Sequence, residues 1–460
     1  MKKLIFSTIA VMLLSTACEK WIDPDINIDP NNPKDVAMAQ LLAPVEANLA
    51  YIVGGELARW DCVWMQHIAG IQSQSADNDI YTLGEADVTN AWSWNLYSPG
   101  MINTKFMMEK AVTTKSPHYG GVAKILMAYH LGVTTDHWGD IPYSDALNGA
   151  VSDYKPSYDT QEEIYTTIFT LLDEAIAELN SSESVFSPDF EDLIYGGDLA
   201  KWEKTAYALK ARYNLHLAGK KGTSAYTAAL AAVADSYTSN DDDFKLVFGT
   251  AYNNSNPMYQ SEQERPGYYT ASATYISMLD ATGDPRKAVY FDGETGSKPG
   301  EPDADAAIIG VGYASSESPV YLISYSELKF IEAEARFALN PSDPLAVTAC
   351  NEGIRASLER EGVFGDGTWF NSNKLTAGNI SLENIITQKY LSSFLQVESW
   401  TDWRRTGYPV LQLATGAVIN EIPRRLPYPD DERLYNGENM PAGMEKQLKN
   451  RQKQNYTDKR

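Results

Sequence analysis

Apolar side chains recur every three or four positions through most of the chain after Pro33, whereas strand-like alternation is scarce. This spacing places apolar residues on one face of a helix. The clearest stripes are Val122, Ile125, Tyr129 and Val133; Ile164, Ile168, Leu171, Ala175 and Leu179; and Trp202, Ala206, Leu209, Tyr213 and Leu217. Further helices are expected near residues 56–72, 98–114, 322–339, 344–361 and 380–396. The pattern therefore predicts a mainly α body, built from antiparallel helical pairs with little β structure.

Residues suited to helix ends flank these stripes. Thr160 and Glu163 have the spacing of a capping box at the start of the second stripe. Asp198 stands where it can cap the third helix, and Gly219 is expected to end that helix. Local signals and periodicity therefore agree on where these helices begin.

Two stretches interrupt the helical rhythm. Residues 240–269 and 283–320 are dense in Gly, Pro, Asn, Asp, Ser and Tyr. Long irregular segments inside a compact domain usually serve as functional surfaces. We therefore predict a single body, residues 33–460, with loop-rich ligand-binding excursions at about 240–320.

The N-terminus has the features of a secretory signal. Two lysines follow Met1, and the apolar run Leu4–Leu14 is too short to span a bilayer. Small residues then lead to Cys18, whose thiol can take a thioether-linked diacylglyceryl group. Attached acyl chains hold a protein on a membrane. The sequence therefore predicts a signal peptide at residues 1–17 and a lipidation site at Cys18.

This segment departs from the usual lipoprotein pattern at one position. Ser15 stands where a leucine is usual, and Leu14 lies one residue further from Cys18. An ordinary cleaved signal beside an accidental cysteine is the alternative. Residues 18–32 are rich in Asp, Asn and Pro, which favour turns, so we expect a lipidated tether there. No other segment approaches the ~20 apolar residues of a transmembrane helix.

Composition narrows the possible functions. The formal net charge is −23, which disfavours nucleic acids and anionic lipid surfaces as partners. The chain has 28 Tyr and 10 Trp but only 5 His, so side chains that stack are plentiful and proton-transfer or metal-binding groups are few. Besides Cys18, the remaining cysteines are Cys62 and Cys350, which can pair in an oxidising compartment or stay as buried thiols.

The chain lacks the common signatures of an enzyme. No HExxH zinc pattern, GxSxG elbow or CxxC pair occurs. His130 and His137 share a helix face without a third ligand nearby. Acidic loops at 241–243 and 303–305 have the charge to attract structural calcium but not EF-hand spacing. We therefore expect no cofactor and no enzymatic activity; a surface lipoprotein hydrolase and a structural or adhesive surface protein are the alternatives.

Several segments, in order along the chain, resemble motifs of the SusD/RagB family, closest to its shorter members. They are Asn27–Pro33, His137–Tyr143, Pro156–Ala175, Gly197-Asp198 with Trp202 and Leu209–Arg212, Asp284–Arg286, Glu327–Glu334, Glu398–Gly407 and Pro423–Pro429. Each motif alone is weak, but the ordered set behind a lipoprotein signal is specific. The paired arginines at 404–405 and 424–425 are expected to bond carboxylates or loop carbonyls and so to determine the fold.

The resemblance implies tetratricopeptide-like helical pairs that carry a loop-rich binding region. It also implies a lipoprotein of the outer membrane that faces the cell exterior. Such a protein captures glycan or peptide oligomers and delivers them to a SusC-like TonB-dependent β-barrel transporter. The residues do not distinguish a glycan from a peptide ligand.

The family has no portable binding motif, so candidate ligand contacts rest on local chemistry. Sugars stack on aromatic rings and bond amides, carboxylates and arginine. Such mixtures occur at residues 72–97 and 256–269. The candidate binding residues are Asp77, Asn78, Tyr81, Trp92, Tyr259, Arg265, Tyr268 and Tyr269. Trp94 and Tyr97, three residues apart before an apolar helix, are expected in the core.

Overall fold

Helices dominate the computed structural model, which describes residues 36–148, 154–441 and 457–458. It is 58% helix and 6% strand, which confirms the mainly α prediction. The predicted signal peptide, Cys18 and the tether lie outside the described residues. Within the described ranges, no helix is both long enough and apolar enough to cross a membrane.

The helices follow the chain in this order. They are α1 (Met38–Ile52), α2 (Ala58–Trp64), α3 (Ser73–Asp79), α4 (Ile102–Thr114), α5 (Pro117–Trp138), α6 (Gln161–Leu179), α7 (Leu199–His216), α8 (Thr223–Ala234), α9 (Pro257–Glu264), α10 (Ala273–Asp280), α11 (Tyr325–Leu339), α12 (Pro344–Arg360), α13 (Thr368–Asn373), α14 (Leu382–Ser392), α15 (Glu398–Thr406) and α16 (Asp430–Tyr435). Wider π-helical turns occupy Val53–Leu57 and Trp92–Met101. Short helical turns occupy Glu85–Val88, Thr89–Ala91, Ala218–Lys221, Asn240–Asp242, Tyr252–Asn254, Lys287–Tyr290 and Val311–Ala314.

Neighbouring helices pack as pairs. Helix α5 packs along α6, α7 along α8, and α11 along α12. Helices α11 and α12 are separated only by residues 340–343, so they run antiparallel. Helix α8 also packs on α11, which joins the pairs into one scaffold. The arrangement matches the tetratricopeptide-like scaffold that the resemblance implies.

The predicted start signals cap these helices as expected. The Thr160 hydroxyl accepts a hydrogen bond from the Glu163 N–H, and the Glu163 carboxylate accepts one from the Thr160 N–H at 2.8 Å. The Asp198 carboxylate accepts from the backbone of residues 200 and 201. The prediction that Gly219 ends α7 is wrong. Helix α7 ends at His216, and the chain makes a further helical turn before Gly222, whose φ of +56° breaks the helix.

Short strands replace helix at two predicted positions. The strands are β1 (Ile68–Gly70), β2 (Phe244–Leu246), β3 (Tyr269–Ala271), β4 (Phe291–Asp292), β5 (Ile308–Ile309) and β6 (Val320–Ile323). They pair antiparallel as β1 with β3, β2 with β6, and β4 with β5. The helix expected over residues 56–72 ends at Trp64 because Gln66 has a φ of +57°, which no helix residue adopts. The helix expected from residue 322 starts only at Tyr325, after β6.

The core consists of two apolar clusters. The larger one buries four tryptophans completely: Trp64, Trp138, Trp202 and Trp400. The smaller one lies around Phe330 and Ile354 of α11 and α12. Cys62 belongs to the larger cluster and Cys350 to the smaller, and both are free thiols. Burial raises the pKa of both thiols, that of Cys350 to about 12.

Buried charges link the helices beside this core. Arg405 of α15 bonds Glu334 of α11 at 2.5 and 2.8 Å, and also Asp402 at 2.8 Å. Arg404 donates to the backbone carbonyl of Arg424, and Arg425 donates to that of Trp138. The arginines of both pairs therefore bond carboxylates or backbone carbonyls, as predicted.

The ring of His216 forms a buried ion pair with a carboxylate on each side. Its Nε2 lies 2.7 Å from the Glu398 carboxylate and its Nδ1 lies 3.2 Å from that of Asp136. Burial alone would lower the pKa of His216, but the two carboxylates outweigh burial and raise the pKa from 6.5 to about 9. The folded protein therefore holds a proton that the unfolded chain releases near pH 6.5.

This proton makes stability depend on pH. The stabilisation is complete below about pH 6.5 and is lost as the pH rises through 9, by about 3 kcal/mol in all. Urea unfolding across this range should show the decrease in the parent protein and a much smaller decrease in His216→Gln, which loses the imidazolium but keeps the buried thiols of Cys62 and Cys350. His118→Gln, which removes a ring bonded to Ser181 and Ser187, is the control and should keep the parent slope. An unchanged slope in His216→Gln would contradict the assignment.

Candidate functional site

A cleft of about 760 Å³ opens between three walls of the structure. The first wall runs from the end of α1 through the turn Val53–Leu57 into α2. The second wall consists of α3 and the chain that follows it as far as residue 95. The third consists of α9 and the loop 265–268. Strands β1 and β3, with Gly70 opposite Tyr269, join the second wall to the third.

The first and third walls approach each other closely at Gly55. A Cβ atom on Gly55 would lie 3.2 Å from the Pro257 side chain, so a glycine permits the close approach of the two segments. The same two walls are linked by Tyr51, whose hydroxyl donates to the carbonyl of Ser255 at 2.6 Å and accepts from the Gln260 amide at 2.8 Å. These bonds fix the angle between the two walls.

The second wall presents Trp94 to solvent. Its ring is 69% exposed, whereas that of Trp92 is 3% exposed and packs against Tyr97, Trp138 and Tyr428. Residues 92 and 94 point to opposite sides of a helical turn, and the buried stripe is Trp92 with Leu96 four residues later. The predicted environments of the two tryptophans are therefore reversed: Trp92 lies in the core and Trp94 is exposed.

Side-chain contacts hold the third wall in place. The Asn256 side chain caps α9 by accepting from residues 258 and 259. In the following loop, the Arg265 guanidinium lies over the Tyr268 ring, 5.5 Å from its centroid. The Ser75 hydroxyl of α3 donates to the Tyr268 carbonyl at 2.7 Å, which ties this loop to the second wall. The Tyr268 ring is half-buried at the surface of the cleft.

The cleft brings together five of the predicted binding residues. They are Asp77, Asn78, Arg265, Tyr268 and Tyr269. Tyr259 lies on α9 but does not line the cleft. Two predictions place in the site residues that belong to the core: Trp92, as above, and Tyr81, which is 6% exposed. The Tyr81 hydroxyl accepts a hydrogen bond from the Ala414 N–H at 3.1 Å, so a distant loop covers it.

Sequence reasoning missed the first wall. Tyr51, Glu56 and Arg59 line the cleft, but none was a candidate; Glu56 and Arg59 lie in the helix expected near residues 56–72, and Tyr51 precedes it. A possible signal was the pair Gly54-Gly55, since glycines inside a helical pattern often mark a close approach of another segment. The irregular stretch 240–269 does supply the third wall, but residues 283–320 contribute nothing to the lining of the cleft.

The lining combines rings with hydrogen-bonding groups. The aromatic residues are Tyr51, Trp60, Trp94, Tyr268 and Tyr269, and the amides are Gln74, Asn78, Asn90, Asn95 and Gln260. Four carboxyl groups and two guanidinium groups complete it, from Glu56, Asp77, Asp87, Glu264, Arg59 and Arg265. Burial raises the pKa of Glu56, Arg59 opposes this, and the charge of Asp87 adds to it. The cleft can therefore stack on a flat ring and bond its polar edge.

The described parts of the chain give no support for a metal-binding site. No three His, Cys, Asp or Glu side chains there are grouped so as to hold a metal ion. In the acidic loops, the Asp242 carboxylate bonds the Lys204 ammonium at 2.9 Å, and that of Asp303 accepts from the backbone of residue 305. His137 bonds Asp61 at 2.9 Å. Burial lowers the pKa of His130 to about 3, so this ring stays neutral.

Residues 30–429 match the SusD-like family described as "Starch-binding associating with outer membrane". The chain belongs to the SusD-like family. No curated protein sequence matches. Family membership makes the chain an outer-membrane nutrient-binding protein of a non-catalytic family. The predicted family, outer-membrane location and lack of enzymatic activity are thereby confirmed.

Several solved structures superpose on most of the chain. A SusD/RagB family protein from Bacteroides thetaiotaomicron is 26% identical, with a TM-score of 0.77 over 88% of this chain and 95% of its own. A chitin-binding protein is 24% identical, with a TM-score of 0.76 over 92% of this chain and 99% of its own. A chitin-binding SusD homologue from Flavobacterium johnsoniae is 24% identical, with a TM-score of 0.73 over 87% and 94%. At these identities the last two establish the fold alone.

The opposite environments of Trp92 and Trp94 can be tested by stability. Trp92→Ala should lower the free energy of unfolding by about 3–5 kcal/mol, because it empties a packed aromatic cluster. Trp94→Ala removes an exposed ring and should change it by less than about 0.5 kcal/mol. Urea unfolding of both variants measures the difference, and equal losses would show that the assigned positions are wrong.

Proposed function

We propose that this SusD-like protein captures oligosaccharides in the cleft and passes them to a SusC-like TonB-dependent β-barrel transporter. The observation that carries the proposal is the exposed ring of Trp94 in a cleft lined with amides and carboxylates. A large apolar ring that is left open in a concave site is free to stack on the apolar face of a sugar.

The size and rigidity of the cleft support an oligomer as ligand. Its volume of about 760 Å³ lies within the range for sites that enclose small ligands, ~300–1,000 Å³. The Tyr51 and Ser75 hydrogen bonds hold its walls together before any ligand arrives. A pre-formed site loses less conformational entropy on binding.

Related proteins suggest which sugars to test first. The family description names starch, and two similar structures are of chitin-binding proteins. Starch is an α-linked glucose polymer and chitin a β-linked N-acetylglucosamine polymer, so the two differ in linkage and in substituent. A useful panel therefore contains malto-oligosaccharides, chito-oligosaccharides and, for the alternative cargo, peptides.

Titration of the soluble 19–460 protein tests the proposal. Binding of one glycan class should change tryptophan fluorescence, since Trp94 leaves water when a sugar stacks on it. Trp94→Ala should weaken binding by about tenfold, ~1.4 kcal/mol. Tyr435→Ala is the matched control, because this ring is also 69% exposed but lies outside the cleft, and it should bind like the parent.

Other outcomes of the same titration would redirect the function. If the protein binds peptides but not glycans, its ligand is a peptide and the proposed capture role is kept. Breakdown of the oligosaccharide during the titration would contradict a binding role and support the hydrolase alternative. If the protein binds neither glycans nor peptides, the result contradicts the proposed capture role.

We further propose that residues 1–17 are removed, that Cys18 carries the lipid and that residues 18–32 tether the body, residues 33–460, outside the cell. Cys18→Ala should then release the protein from membranes into the soluble fraction, because a single chain position holds the anchor. Detergent extraction of the parent should recover a large β-barrel protein in a stoichiometric complex. Full membrane retention of Cys18→Ala would refute the anchor, and recovery of the parent alone in mild detergents would refute the transporter partner.

A further inference from the structure

The short helical turn Tyr252–Asn254 lies beside the cleft, just before the third wall begins. The Gln260 amide donates to the Tyr252 carbonyl at 2.6 Å, and the Tyr51 hydroxyl lies 3.4 Å from the Asn253 carbonyl. Gln260 belongs to the third wall and Tyr51 to the first, and both line the cleft. The turn therefore forms part of the rim of the cleft, at the place where these two walls are joined.

The side chain of Tyr252 is fixed in place at this rim and still open to water. Its hydroxyl donates to the Glu264 carboxylate at 2.5 Å, and Glu264 also lines the cleft. The Ser255 hydroxyl donates to the Tyr252 carbonyl at 2.7 Å, which adds a second support to the backbone of the turn. Tyr252 is nevertheless 48% exposed. A side chain that is already held loses little conformational entropy when a ligand covers it.

The contacts of Tyr252 distinguish it from other exposed rings. A single exposed apolar side chain is common on protein surfaces and needs no explanation. Phe186, for example, is 55% exposed, and its backbone is bonded to Ser116 and Ser184, which lie outside the cleft. Tyr252, in contrast, is bonded through its hydroxyl and its carbonyl to two residues of the lining, Glu264 and Gln260. Its exposed surface is therefore continuous with the binding site.

The size of the cleft gives this position a role. A volume of about 760 Å³ is typical of a site that encloses one small ligand, so the further units of a longer oligosaccharide must cross the rim. At the turn they meet the Tyr252 ring and the exposed side chain of Asn253. A ring beside an amide is the combination that also lines the cleft, and it suits the apolar face and the hydroxyls of a sugar unit.

We propose that Tyr252 forms an outer subsite at the rim of the cleft, where its ring stacks on a sugar unit that lies outside the cleft. The protein then prefers oligosaccharides long enough to contact both Trp94 in the cleft and Tyr252 at the rim. This inference rests on the proposed function, because it specifies the length of the oligosaccharide that the protein selects. Glu264 is a positioning residue in this arrangement, since its carboxylate orients the ring through the hydroxyl.

The test measures affinity as a function of ligand length. Malto-oligosaccharides and chito-oligosaccharides of about two to eight units are titrated into the soluble 19–460 protein, and the heat of binding is followed. In the series that binds, the affinity of the parent should rise about fivefold between ligands that only fill the cleft and ligands that also cover Tyr252.

Variants connect this rise to the ring. Tyr252→Ala should remove the rise, while the affinity for the short ligands should change by less than about twofold. Tyr252→Phe keeps the ring without its hydroxyl and should retain most of the rise. Phe186→Ala is the matched control, because it removes a ring of similar exposure outside the cleft, and it should keep the length profile of the parent. Trp94→Ala should weaken short and long ligands alike, since both occupy the cleft.

The short ligands also report whether a substitution moves the third wall. If Tyr252→Ala weakened short and long ligands equally, the substitution would have displaced the wall instead of removing a contact, and the outer subsite would be overturned. A rise that persists in Tyr252→Ala, or that disappears in Tyr252→Phe or in Phe186→Ala, would overturn it as well.

The length series separates this inference from the proposed function. Affinity that does not depend on length in the parent would overturn the outer subsite and leave glycan capture in the cleft intact. Binding of neither series, nor of any other oligosaccharide, would overturn the proposed function and the outer subsite with it.

Discussion

A connected set of buried ion pairs constrains how the helices of the scaffold can pack. Arg212 of α7 bonds Glu327 of α11 at 2.7 Å and approaches Glu398 of α15 at 3.5 Å. Lys389 of α14 meets Asp402 of α15 at 2.6 Å. Burying a charge is unfavourable unless a partner meets it in the right geometry, whereas apolar contacts tolerate small shifts. The ion pairs therefore fix the relative positions of α7, α11, α14 and α15, of which only α14 and α15 are neighbours along the chain.

The rigid scaffold supports the walls of the cleft, but the cleft itself lies outside the packed core. The wider turn Val53–Leu57 joins α1 to α2 and directs Glu56 toward the cleft, while the rest of α1 stays packed in the core. The β1–β3 pairing then anchors the two more irregular walls to each other. Because the scaffold and these few bonds already define the walls, exposed rings such as Trp94 stay open to solvent instead of collapsing onto the protein. The loops that form the site can therefore vary while the helical scaffold remains the same.

The features that the sequence predicts correctly are those decided by neighbours along the chain. The caps at Thr160 and Asp198 depend on residues two or three positions away, so local spacing reveals them. The exchange of Trp92 and Trp94 could not be foreseen, because it depends on the rotation of the π-helical turn Trp92–Met101, whose backbone is extended at Ser98. Tyr81 is buried by a loop more than 300 residues later, which no local pattern encodes. Contacts between segments that are far apart in sequence therefore decide which residues of a local aromatic group are buried and which can belong to a site.

The buried network also shapes the charge that a ligand meets. Arg212, Arg286 and Arg405 lie in the interior, each beside its own carboxylate partner, and such pairs contribute little to the field outside. The net charge of −23 is therefore carried mainly by exposed acidic groups, including those of the cleft. Exposed charges of one sign attract oppositely charged ligands over about 8–10 Å at physiological salt and repel like charges. The way in which the fold buries its arginines thus favours neutral and cationic ligands over polyanions before any specific contact forms.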